Sequence, residues 1–439
     1  MDETKIIKFA VVTEQWQMDL FLDALENATE EDSIVAEVLY NRAGDYVIGR
    51  PITCKAKSVK ITGYGNNKPG LTFKGDAKLE FTNIDDFDMS DTRINNDVNA
   101  STLISITGKT ITGSIAKLIN VDFANIGDDT QCVLFSNLYD VYVHGGMFNH
   151  NVSSIGRSVI THNVHRTKLD SVFHTGGENL LYLKEDADML VGGGYYTVYD
   201  CSVFDVGTPV YCDVATAAYA PTVFISTDLT LMQVGRSCIN SNGHICASFE
   251  KCILTTIGNV ADTLLVNAPI DQEVKVFMNN VMCKLPVLTS GHQNASIWAT
   301  NSTIDIDTTR VGNQVAIDVG GGYILIDKCR LFTNNSTFMF INNATIAQIT
   351  DSLMEFVNET EDDYRNGINS KTFVCNNNRI KLSPNTELVF SGGSAVVLNN
   401  SIRSLDSDSP IADPVQFGEC DGYSVTGNRL DGGEYNYGR

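Results

Sequence analysis

From residue 118 almost to its end, the chain returns to one six-residue pattern about every 25 residues, a period that builds a solenoid and not a globule. The first segments are Leu118 to Phe123, Val143 to Phe148, Lys168 to Phe173, Tyr199 to Phe204, Phe224 to Leu229 and Phe249 to Leu254. The series continues through segments ending at Met282, Ile304, Leu331, Met354, Ile380, Ile402 and Leu430. Every terminal residue is large and apolar. Parallel strands stacked about 4.8 Å apart need such a file, because each coil buries its face on the next. Phe123, Phe148 and Phe173 are therefore expected to pile up in a single interior file.

Two positions before the terminal residue, the late segments carry Asn378, Asn400 and Asn428. Amides stacked at strand spacing hydrogen-bond along the stack and fix a turn between sheets. Few runs between segments are long enough for a packed helix, so turns and further strands close each coil. The fold class expected is all-β, a right-handed single-stranded parallel β-helix. A leucine-rich repeat also places Phe373, Cys375, Asn378 and Ile380 at its spacing, but the leading half of that repeat is missing and leucine does not dominate.

With 439 residues, 43% of them hydrophobic, the chain can bury a large core along one long body. Its net charge of −22 sets it against a phosphate backbone or an anionic membrane surface, since both need clustered Lys and Arg. No nucleic acid is expected as a partner. The opening residues lack a basic start followed by an apolar run, and no stretch of about 18 apolar residues occurs, so neither a cleaved leader nor membrane insertion is expected. The eleven cysteines are scattered singly, and Cys201, Cys252 and Cys329 fall within the repeat segments, which reads as buried apolar fillers and not as a disulfide framework.

Residues 1–15 form an N-terminal segment, 16–115 a capping helix with the first coils, and 116–439 the main β-helix. In the cap, Asp19 to Asp32 carries Leu20, Leu22, Leu25 and Ala28 among acidic residues, a short amphipathic helix suited to plug the open end of a solenoid. After it the run Ala43 to Phe73 supplies Gly44, Tyr46 and Ile61-Thr62-Gly63-Tyr64-Gly65. Helix, strand, G-x-Y and the glycine turn together resemble the opening of the pectate-lyase-like right-handed β-helix family of bacteriophage tailspikes. The motif match covers about residues 16 to 75, and the remainder matches by coil periodicity alone.

That resemblance implies a homotrimer on a phage tail, in contact with other virion tail proteins and made in the host cytoplasm. It would bind a capsule or O-antigen polysaccharide at the host surface and hydrolyse it. A non-catalytic virion fibre or glycan-binding adhesin is the alternative. Hydrolysis needs two carboxyl groups flanking the bond, about 6.5 to 9.5 Å apart for inversion or about 5 to 5.5 Å for retention. Five residues past the ends of successive segments stand Asp128, Ser153 and Glu178, which are expected to share a column, with Asp128 and Glu178 two rungs apart. These two and Asp129 are the candidate catalytic residues.

The same sector holds five of the seven histidines, His144, His150, His162, His165 and His174, with two arginines. His150, His174, Arg157 and Arg166 are the candidate substrate-binding residues, because imidazole and guanidinium beside carboxylates orient sugar hydroxyls or hold a sugar carboxylate. A lyase would need a calcium or a Lys or Arg base beside an acidic sugar, and the sequence offers no convincing cluster of Asp with a neighbouring basic residue at one rung. Neither metal-ligand spacing nor a phosphate-cradling loop is present, so no metal and no cofactor are expected.

Overall fold

The computed structural model describes residues 6–96, 102–151, 154–186, 194–214, 222–234, 237–256, 265–269, 272–285, 295–307, 315–334, 339–357, 364–383, 386–406, 415–430 and 433–435. The chain packs as two compact units, Met1–Phe224 and Ile225–Arg439. Each is a right-handed single-stranded parallel β-helix, and the described residues contain one short helix.

In Met1–Phe224 each coil after the first, which carries the helix, gives one strand to each of three parallel sheets. One coil runs Asp140–His144 in the first sheet, Met147–His150 in the second and Arg157–His162 in the third, then re-enters the first at Arg166–Asp170. Register is regular in the first sheet, with Asp140 opposite Arg166 and His144 opposite Asp170. Alternate side chains point inward, giving patterns such as buried Val141 and Val143 between half-buried neighbours. In Ile225–Arg439 the coils tighten: Tyr364–Asn376 and Thr386–Leu398 are each 13-residue strands that pair along their length.

The turn from first to second sheet sets the frame of every coil. It contains one residue in the left-handed region, such as Asn120 (φ 56°), Ser171 (57°), Lys251 (52°) or Asn377 (57°). Asn and Gly tolerate that conformation best. The next residue points inward and is buried, as with Val121, Val172, Cys201, Cys252, Cys329 and Asn378. The third residue after the left-handed one also points inward, as with Phe123, Phe148, Leu254, Ile304, Leu331, Met354, Ile380 and Ile402.

This frame confirms the interior file and corrects four of its members: Phe173, Phe204, Leu229 and Met282 give way to His174, Val203, Leu231 and Cys283. Phe123 and Phe148 stack with ring centroids 4.9 Å apart and planes 7° from parallel. Phe148 then pairs with His174, and Phe173 pairs with Met147 and is 40% exposed. Ser171 is the left-handed residue of that turn, so the inward place three residues later falls to His174. For the same reason Cys283, three after Asn280, takes the interior place expected of Met282, which is exposed.

The amide column forms as expected. Asn378 donates its backbone N–H (2.9 Å) and side-chain amide (3.1 Å) to Asn400 Oδ1, and Asn400 does the same to Asn428 Oδ1 at 2.8 and 2.9 Å. The ladder extends beyond the asparagines: Cys329 N donates to Ser352 Oγ (3.0 Å) and Ser352 N to Asn378 Oδ1 (2.9 Å). One column thus holds thiols, hydroxyls and amides, each satisfying a buried turn N–H.

The helix is Gln15–Glu26, earlier and shorter than the sequence suggested. Gln17 reaches back to the N–H groups of Thr13 (2.7 Å) and Glu14 (3.1 Å), which fixes the start. Its buried face is Met18, Phe21, Leu22 and Leu25, at helical spacing, while Leu20 is 58% exposed. Gln15 exchanges hydrogen bonds with Val47, donating to its O (2.9 Å) and accepting from its N (2.8 Å), so the helix satisfies the first rung of the second sheet. In the glycine turn, Gly63 is required because a Cβ would lie 2.0 Å from Asp91 O.

Candidate functional site

Four of the seven predicted site residues gather where the turn from second to third sheet meets the outer face of the third sheet. Arg157 begins its strand in register with Gln131 and Asn179. One residue earlier, Thr130, Gly156 and Glu178 form a file held by Arg157 N to Thr130 O (3.2 Å) and Glu178 N to Gly156 O (2.9 Å). Asp128 precedes Thr130 by two residues. Asp128 and Glu178 are therefore two rungs apart on one turn stack but offset by two residues, not in a single column. The cause is a register shift between Phe123 and Ile126 together with the one-place shift at Phe173. Ser153, the expected middle member, lies outside the described residues.

Asp128 and Asp129 are exposed and Glu178 is half-buried. Asn151 Nδ2 donates to Asp128 Oδ1 (2.7 Å), and the Ser154 hydroxyl donates to the Asp128 carbonyl, tying this turn to the next rung. Beside these carboxylates the Arg157 guanidinium lies 3.8 Å from the centroid of the Tyr182 ring. Tyr182 stacks on Tyr211 at 5.2 Å, with planes 4° apart. The Tyr182 hydroxyl donates to Asp213 Oδ2 (2.8 Å), and burial with Asp213 pushes its phenol up to about 12, so it stays a donor at neutral pH. Ring faces here are covered by one another and by Arg157. What the ridge offers a ligand is hydroxyls, a guanidinium and carboxylates on successive rungs, the groups that hydrogen-bond sugar hydroxyls.

The other three predicted residues lie elsewhere. His150 (4% exposed) and His174 (0%) point into the core, so neither presents a ring to a surface ligand. Burial lowers His150 to about 4 and His174 to about 3. His150 Nε2 lies 2.9 Å from Ser158 Oγ, whereas neither ring nitrogen of His174 has a hydrogen-bond partner. Arg166 sits on the first sheet, paired with Asp140 through two hydrogen bonds. Among the described residues no group of three or more His, Cys, Asp or Glu is placed to hold a metal ion.

Around Arg166 the structure holds a cluster that the sequence pattern did not bring out. Lys168 Nζ donates to Asp170 Oδ2 (2.9 Å), the Tyr142 hydroxyl donates to the same oxygen (3.2 Å), and His144 Nδ1 lies 3.6 Å away. Arg166, Lys168 and Tyr142 border a groove of about 410 Å³ lined also by Lys117, Thr197 and Tyr195. The signal was present: Lys168-x-Asp170 lies one period after Tyr142-x-His144, and both pairs point outward. Asp170 holds Lys168 protonated, and burial followed by Asp170 raises the Tyr142 phenol, so neither group serves as a base at neutral pH. The cluster binds charge internally and leaves hydroxyl and ring edges for contact.

No family model matches the chain, and no curated protein matches it. Among solved structures it is similar to the catalytic unit of an α-1,3-glucanase from Streptomyces thermodiastaticus, at 12% identity over 97% of this chain and 69% of that one, with a TM-score of 0.28. A catalytic domain of α-1,3-glucanase in complex with tetrasaccharides gives 12% identity, 99% and 70% coverage and a TM-score of 0.34. The A-module of mannuronan C-5 epimerase AlgE6 from Azotobacter vinelandii gives 9% identity, 97% coverage of both chains and a TM-score of 0.24. Likeness at this level carries no argument about chemistry; the fold stands on the strand register described above.

Proposed function

We propose that the protein binds an extended polysaccharide across the third sheet of residues 131–214 and hydrolyses it with Asp128 and Glu178, with Asp129 beside them. The observation that carries this reading is the assembly of Asp128, Glu178, Arg157 and Tyr182 on neighbouring rungs. Two rungs and an offset of two residues set the backbones roughly 12 Å apart at strand spacing, and side chains that lean toward one another bring the carboxyl groups toward the inverting range of about 6.5 to 9.5 Å. Arg157 would donate to the sugar hydroxyls, and the Tyr182 oxygen, whose proton Asp213 engages, would accept from one.

The tailspike reading belongs to the same proposal: a homotrimer among other virion tail proteins, acting on capsule or O-antigen at the host surface. Its support is the sequence resemblance of residues 16 to 75. The test is incubation with bacterial capsule or O-antigen and sizing of the products, with new reducing ends expected. Asp128→Asn and Glu178→Gln should each slow cleavage by about 100-fold or more. If both variants keep full activity, the site assignment fails. If the native chain binds the glycan yet releases nothing on long incubation, the protein is an adhesin or fibre.

A further inference from the structure

The chain is strongly acidic, yet the outer face of the second sheet in Ile225–Arg439 is basic. Two outward columns run along it. One reads Thr303, Arg330, Leu353, Arg379 and Ser401, then Arg429; the other reads Asp305, Phe332, Glu355, Lys381 and Arg403. Glu355 is neutralised twice, by Arg330 (Nη2, 2.7 Å) and by Lys381 (Nζ, 2.7 Å). Among the described residues Arg379 and Arg403 are exposed and make no ion pair with a carboxylate, whereas Arg429 stands opposite Glu434 in the terminal antiparallel pair. Two successive rungs therefore each present an uncompensated guanidinium.

Alongside this face lies a groove of about 620 Å³. Its walls carry the cations Lys328, Arg330 and Arg379 and the turn amides of Asn301, Asn377 and Asn399. The one acidic wall residue, Asp351, accepts a hydrogen bond from the Asn377 amide. Amides at rung spacing are bidentate donors and acceptors for sugar hydroxyls, and guanidinium groups are matched to carboxylates.

We propose that this face and the groove beside it bind an extended carboxylated glycan, with its carboxylates on Arg379 and Arg403 and its hydroxyls on the turn asparagines. The rung spacing of about 4.8 Å is close to the length one pyranose adds to an extended chain, so successive acidic sugars can meet successive arginines. A nucleic acid also carries repeating anions, but the walls of the groove offer no aromatic ring on which bases would stack. This inference uses residues separate from the 128–178 site and requires binding only, so failure of either leaves the other standing.

Calorimetric titration of the full chain with oligogalacturonate, oligomannuronate and oligosialic acid tests it, with neutral dextran and single-stranded DNA as comparisons. At least one carboxylated oligomer should bind, less tightly as ionic strength rises, and its methyl ester should not. An Arg379→Ala/Arg403→Ala variant should lose about tenfold or more in affinity, and the corresponding double lysine variant should recover part of it. Both changes lie on the solvent face, and circular dichroism checks that the fold is intact. The proposal is overturned if none of the three acidic oligomers binds, if the double alanine variant binds as tightly as the native chain, or if the methyl ester or DNA binds equally well.

Discussion

Phe148 stacks flat on Phe123 on one side, and on the other is in register with the imidazole of His174, which is wholly enclosed. The imidazole makes no hydrogen bond in a file otherwise built of apolar side chains. Its pKa falls to about 3 through burial and the nearby His150, itself at about 4. The folded state thus keeps both rings neutral while the unfolded chain takes up protons near pH 6.5. Stability from these groups is complete above about pH 6.5 and falls as pH drops toward 4, each ring losing about 1.4 kcal/mol for every pH step over which only the unfolded chain is protonated. His174→Leu should flatten this decline and gain about 1 to 3 kcal/mol near pH 5 by removing an unsatisfied buried group. Denaturant unfolding at several pH values checks it; an unchanged acid slope would contradict the assignment.

The amide ladder predicts a larger cost. Asn400 donates to Cys375 O (3.0 Å) and to Asn428 Oδ1, and accepts from both Asn378 groups. Asn400→Ala leaves the Asn378 N–H buried without its acceptor and removes the side-chain bond to the Cys375 carbonyl, at roughly 1 to 3 kcal/mol for the orphaned donor. Hydrogen exchange of residues 375–430 should accelerate in the variant, with far smaller changes in Met1–Phe224. Uniform protection across the chain would count against a ladder that stabilises its own rungs.

Much of this fold was legible because the repeat carries two independent signals. Asn378, Asn400 and Asn428 share one column, and the large apolar residues share another. The residue that fixes phase is neither of them: it is the left-handed residue before the amide, and it varies among Asn, Asp, Gly, Ser and Lys. Alignment on the biggest hydrophobe therefore slipped by one at Phe173, Phe204 and Met282 and by two at Leu229, where His174, Val203, Cys283 and Leu231 hold the interior place. The slip carried into the site. Asp128, Asp129, Glu178 and Arg157 do converge, because coil spacing alone brings them to adjacent rungs. His150 and His174 do not, since a one-residue change of phase moves a strand residue from the outer face to the inner. Arg166 followed the same periodicity onto another sheet, a distinction that the spacing does not encode.

Lys251 occupies a left-handed turn position (φ 52°) that Asn or Gly fills in many other coils. A lysine there bears the Cβ clash that glycine avoids. Lys251→Gly should stabilise the chain by about 0.5 to 1 kcal/mol, measured as a rise in the denaturant midpoint. Phe123→Gly provides the contrast, since removing a fully buried ring should destabilise by about 3 to 5 kcal/mol. A neutral or destabilising Lys251→Gly would show that its side chain contributes more than its backbone costs.

The thiols give the last test, because the repeat hides them by position. All eleven cysteines are free; nine are buried, and only Cys246 and Cys420 are half-buried. Burial raises both of these thiols as well, so their thiolate fraction at neutral pH is small. Cys201, Cys252 and Cys329 occupy the column that Asn378, Asn400 and Asn428 fill in later coils, where a thiol accepts from a turn N–H or donates to a carbonyl, as Cys252 Sγ does to Glu250 O at 3.2 Å. A thiol reagent added to the native chain should therefore label two sites, slowly and faster with rising pH, and the other nine only on unfolding. Cys246→Ser should remove one of the two native sites with little change in stability, its side chain being at the surface. Rapid native labelling of more than two thiols would mean that the coils open at the turns, and the column of buried side chains would no longer describe the protein in solution.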